Sequence, residues 1–207
     1  MSADDQTPPQ GQEPAAPDAP VPLMAPPFVA VGARRAPSDH RGPEELRAAL
    51  REAVRLLRPD PEAMTQLVDA AAVAGERHLA AALARAARAR AKGRAHLSDP
   101  GAEFLLYLAG SDQFPEAVQR AGVRAETREV VLVLSPPGPL HGLLVRAGLE
   151  EDPSVYPRPP TEEVLARLGL DPAAHERVPR GSWELLAIEA GAMVELPRGG
   201  GAKRGKG

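Results

Sequence analysis

Along the chain the apolar positions change period several times, and each change marks an element. Phe28-Val-Ala-Val-Gly-Ala-Arg-Arg35 is short and partly β-branched, and predicts a first strand over Phe28–Arg34. Leu46, Leu50, Ala53, Val54 and Leu57 recur at i, i+4, i+7, i+8 and i+11, one apolar stripe on a helix over Glu44–Leu57. Glu44 and Glu45 fall in its first turn, where the helix dipole favours anions, and Arg58-Pro59-Asp60-Pro61 ends it. Thr65–Asp69 reads as a brief strand, although Asp60-Pro61 caps a helix through the same residues equally well.

A central helix is expected from near Gly75 to Gly93, a good residue to follow a helix end. At about 100° per residue, Leu79, Leu83, Ala86 and Ala87 share one face. His78, Ala81, Arg85, Arg88 and Lys92 share the opposite one, with Arg77 at its margin. Asp99-Pro100 supplies an N-cap and a first-turn proline for Glu103–Ala109, which is apolar nearly all round and therefore buried. Asp112 is expected to cap a further short helix with Phe114, Val118 and Ala121 inward. Glu129-Val-Val-Leu-Val-Leu134 is the clearest strand, a continuous apolar run bounded by Pro136-Pro137-Gly138-Pro139. A short helix over Leu140–Ala147 follows, then an irregular acidic loop over 149–160. Thr161 caps Glu162–Leu168, Asp171-Pro172 starts another helical turn, and Ser182 caps a last helix through Leu185, Ile188, Ala192 and Leu196. Together these elements predict one α/β domain over 28–196, a small mixed sheet covered by helices, with disordered tails at 1–27 and 197–207.

Composition narrows the chemistry. The 207 residues include 24 prolines but no Cys, which excludes disulfides, thiolate metal sites and thiol nucleophiles. No apolar run approaches the ~18 residues of a membrane span, so no membrane partner is expected, and a cytoplasmic location is. The net charge of −3 conceals an asymmetry. Asp4, Asp5, Glu13 and Asp18 sit in the N-terminal tail with no base, and Arg198, Lys203, Arg204 and Lys206 in the C-terminal tail with no acid. After Glu76 no acid occurs until Asp99, so Arg77, Arg85, Arg88, Arg90 and Lys92 lack the i,i+4 partners that surface helices usually mix in. Either this is a solvated face completing the helix dipole, or something anionic shares it. The five histidines show no ligand spacing, Ser135 has no nucleophile-elbow context, and neither metal nor cofactor is expected.

Four stretches resemble the small subunit of the archaeal KEOPS complex, the PRPK-binding-protein family. They are Gln66-Leu-Val-Asp-Ala70; Glu76-Arg-His-Leu79 with Ala82 and Ala86; Glu103-Phe-Leu-Leu-Tyr-Leu-Ala-Gly110 with Gln113, Phe114, Ala117 and Gly122; and Leu185–Leu196. Asp112 and Phe114 stand where that family usually has Arg and Ile. The resemblance implies a non-catalytic α/β subunit that docks on the complex's kinase and grips the 3′ CCA end of tRNA. Other subunits would then install threonylcarbamoyl on the adenosine beside the anticodon. His78, Arg85, Arg88, Arg90, Lys92 and Arg94, with Gln113 nearby, are then the expected RNA contacts. Tyr107 and Phe114 are the rings available for a base or a partner surface. Two other classes compete: an adaptor that binds only the kinase, and a small enzyme whose Glu76, His78 and Glu103 converge in a cleft.

Overall fold

Four strands carry the domain, and the third explains the architecture. In the computed structural model, which describes residues 24–171 and 176–195, β1 (Val29–Arg35), β2 (Met64–Asp69), β3 (Glu129–Ser135) and β4 (Leu149–Glu151) order as β2-β3-β1-β4. Successive side chains of β3 point to opposite faces. Val131 and Val133 enter one apolar cluster, and Val130, Leu132 and Leu134 enter another. A strand buried on both faces needs an uninterrupted apolar run, which is why this one was legible. The sheet is antiparallel throughout rather than mixed. β1 and β2, joined by α1 (Pro43–Leu57), run the same way, but β3 slots between them and opposes both, so no parallel ladder forms.

One face is covered simply. α1 buries Leu46, Leu50 and Ala53, the predicted stripe, and α5 (Leu140–Ala147) buries Leu143, Leu144 and Ala147 beside it. At the start of α1 the Gly42 N–H donates to Glu45 Oε2 at 2.7 Å, so the first-turn acid also satisfies an orphan donor.

The other face carries α2 (Glu76–Ala91), α3 (Pro100–Ala109), α4 (Phe114–Ala121), α6 (Glu162–Arg167) and α7 (Trp183–Met193). Asp99 caps α3 as expected, its Oδ1 accepting from Ala102 N at 2.6 Å, and eight of that helix's ten residues are buried. Asp112 does not cap α4: the N-cap is Gln113, and Ser111 Oγ accepts the Gln113 N–H at 3.2 Å. Ser182 stands at the N-cap of α7 without a side-chain cap bond. The expected helical turn from Asp171-Pro172, the end of the last helix at Leu196 and most of both tails fall outside the described residues.

Residues 149–160 are more ordered than their composition suggests. β4 pairs with β1, Arg35 opposite Leu149, and Val155 and Tyr156 are buried on the α2–α3 side. Gly32 permits this, because a Cβ there would stand 2.6 Å from Tyr156 N, where the segment crosses β1. No helix among the described residues is long and apolar enough to cross a membrane.

Candidate nucleic-acid interface

α2 starts without a side-chain cap of its own, because Gly75 is its N-cap. The missing acceptor comes from α7: Glu184 Oε1 accepts the His78 N–H at 3.0 Å, placing a carboxylate at the positive end of the helix. α7 can lie this close to the helix layer because Gly191 has no side chain; a Cβ there would be 2.6 Å from the Tyr107 carbonyl oxygen.

This cover changes the fate of the predicted polar face. His78 is 1% exposed. Its Nδ1 accepts from Ala74 N at 3.2 Å, which leaves Nε2–H to donate to the Leu108 carbonyl at 3.1 Å. Both ring nitrogens are thereby used in the neutral tautomer, and burial lowers the pKa from 6.5 to about 4. His78 is therefore a core residue and cannot touch RNA, contrary to the helical-wheel expectation. Arg85 is covered too. Its side chain is 12% exposed, burial lowers its pKa, and Glu195, following α7, lies 3.9 Å away.

The second half of the helix differs. Arg90 Nη2 pairs with Glu62 at 2.9 Å and its Nη1 donates to the Ser98 carbonyl at 2.7 Å, fastening the loop after α2. Glu103, fully buried in the otherwise apolar α3, accepts from the His96 and Leu97 backbone N–H groups at 2.9 Å each. Arg88, Lys92 and Arg94 make no ion pair among the described residues; Lys92 and Arg94 are exposed and Arg88 is partly so. Arg51 and Arg55, on the last turns of α1, stand at the same end of the sheet, Arg55 paired with Glu52 at 2.7 Å. A groove of about 470 Å³ runs from this end of α1 past Thr65 to the start of α3.

Gln113 and Phe114 are not part of this basic end. They follow the far end of α3, whereas Arg90 reaches the loop before its near end, and ten residues of helix span about 15 Å. Phe114 is 41% exposed, so its ring can meet a partner. Tyr107 is 2% exposed and its hydroxyl pKa is raised to about 12, chiefly by burial; this ring is core rather than a stacking platform. Of Glu76, His78 and Glu103, the last two are each committed to the groups named above. Among the described residues no three His, Asp or Glu side chains group as metal ligands.

Residues 42–142, from the start of α1 into α5, match the family model described as kinase binding protein CGI-121. Over these residues the chain is similar to the CGI-121 family. A search of curated proteins gave no match. The CGI-121 segment contains every predicted contact from His78 to Phe114. The acids that cover α2 from outside it, Glu184 of α7 and Glu195 just after α7, lie beyond the matched residues. Nothing within α2 signals them, because these acids lie far along the chain from the helix they cover. Glu103 carried a readable signal: an acid inside an all-apolar helix requires donors brought from a neighbouring loop.

Proposed function

We propose that this chain is a non-catalytic, cytoplasmic subunit of a KEOPS complex that docks on the complex's kinase and holds the 3′ CCA end of tRNA. Threonylcarbamoylation of the adenosine beside the anticodon would be the work of other subunits. The kinase half of this reading rests on the CGI-121 family's description as a kinase binding protein. The RNA half rests on one observation: Arg88, Lys92 and Arg94 have no ion-pair partner among the described residues, at an end already enriched in arginine. Unpaired cations repel one another, and a phosphate backbone relieves that repulsion while releasing counterions.

The contact set is accordingly Arg88, Lys92 and Arg94, with Arg90 shared between Glu62 and RNA. The exposed Phe114, at the opposite end of α3, is left for the kinase. The purified chain should bind the kinase with micromolar affinity or better, roughly −8 kcal/mol. Removing CCA from the tRNA should weaken binding to the chain without altering kinase binding. No complex with the purified kinase would overturn the adaptor half, and equal affinity for both tRNA forms would overturn the CCA half.

A second reading has its own support. Phe114, Leu185 and Met193 are exposed apolar side chains, and Arg85 and Arg90 are already engaged by acids. On that reading the chain is a kinase adaptor with no RNA contact, and tRNA titration alone separates the two.

A further inference from the structure

We propose that residues 1–23 dock in cis on the basic end formed by the second half of α2 and the loop after it, and screen it from RNA. Charge is the first argument. Residues 1–23 carry Asp4, Asp5, Glu13 and Asp18 and no Lys, Arg or His, whereas Arg88, Lys92 and Arg94 have no ion pair among the described residues.

The second argument is where the segment joins the fold. β1 begins at the sheet end where β2 begins and β3 finishes, Val29 opposite Leu134 and Met64 opposite Ser135. Glu62, two residues before β2, is the acid that binds Arg90, so the end of α2 lies at that same edge. Phe28 packs on the core cluster that also receives Ala89 of α2 and Leu97 of the following loop. Ser135 Oγ fixes the approach by donating to the Pro27 carbonyl at 2.9 Å. The acidic segment is therefore attached beside the basic end, on the face that α2 covers.

Reach is the third. Twenty-three residues span at most about 80 Å when extended, far more than the width of a small domain. A tether of this order keeps its charges near the surface at an effective concentration on the order of millimolar. Individually weak exposed pairs then suffice to occupy the site, and salt weakens them. Docking needs only the charges; screening also rests on the RNA reading above.

The chain has no Cys, so Gln10→Cys gives the full-length protein a single nitroxide attachment point. At low salt the label should broaden the backbone amides of Arg88, Arg90, Lys92 and Arg94, and high salt should restore them. Neutralising the acids (Asp4→Asn, Asp5→Asn, Glu13→Gln, Asp18→Asn) should abolish the broadening. The same neutralisation should tighten tRNA binding about 3- to 10-fold at low salt and not at high salt. No broadening, or broadening confined to residues 198–207, overturns the docking. Broadening with unchanged tRNA affinity in the neutralised chain overturns the screening. Broadening in a chain that binds no tRNA, neutralised or not, leaves the docking in place and removes the RNA reading.

Discussion

At His78 and Arg85 the polar side of α2 is covered by α7 and the residues that follow it; from Arg88 to Arg94, among the described residues, only Arg90 is held, by Glu62 and the Ser98 carbonyl. His78 and Arg85 share a helical face with Arg88 and Lys92, yet the first two are covered while Arg88 is partly exposed and Lys92 exposed. A helical wheel fixes which side chains share a face, but what covers that face is decided by chain that arrives later. Here α7 brings Glu184 to the first turn and Glu195 toward Arg85. The cations beyond its reach are left as the candidate RNA contacts.

The strongest way to break this comparison is at His78. His78→Ala removes a buried ring and orphans both Ala74 N–H and the Leu108 carbonyl. We expect a loss of about 3–4 kcal/mol, or roughly 6–15 °C in Tm for a domain of this size. Loss within about 0.5 kcal/mol in a denaturant titration would place His78 at the surface after all.

Protonation attacks the same residue less severely. The folded pKa is depressed to about 4 from the usual 6.5. The unfolded chain therefore binds the proton more readily, and the contribution is intact above about 6.5 and lost progressively as pH falls toward 4. By linkage it amounts to ~3 kcal/mol at most. Parent stability should fall across this window, and a His78→Phe variant that still folds should show a shallower fall there. Equal slopes in the two proteins would contradict the buried neutral tautomer.

Gly191→Ala sharpens the other side of the comparison by prising α7 from α3. The added methyl meets the Tyr107 carbonyl, a backbone atom that cannot swing aside, and should cost about 1–3 kcal/mol. Hydrogen exchange should quicken at the start of α2, where Glu184 holds the His78 amide. Smallest of all is Glu62→Ala: its pair with Arg90 is largely solvated, so stability should change by less than about 1 kcal/mol.

Much of the sheet and of the α1 face was readable because local pattern and final burial agree there. β3 shows its two-sided burial as an unbroken apolar run, and α1 shows its single contact face as one stripe. Local pattern is silent wherever a distant segment supplies the deciding atom. Gly32 gives no hint that 152–156 will pass across it, and nothing within α2 announces Glu184. The grouping of Gln113 with the arginines failed for a similar reason. Nearness along the chain says nothing of the ten-residue helix that separates their ends. Arg88, Lys92 and Arg94 were legible because no acid lies nearby in sequence, and none among the described residues joins them in space.

The central claim is that these three cations, and not the polar face as a whole, bind RNA. Its most direct test is tRNA affinity measured over a salt series for the parent, for Arg88→Glu with Lys92→Glu and Arg94→Glu, and for Arg77→Glu as the exposed control on the first turn of α2. If the account holds, the triple reversal flattens the slope of log affinity against log salt by about 2 and costs at least ~30-fold in affinity at low salt. The Arg77 control should keep the parental slope. A triple variant that binds tRNA as the parent does at low salt would show that the end of α2 is only a solvated helix terminus.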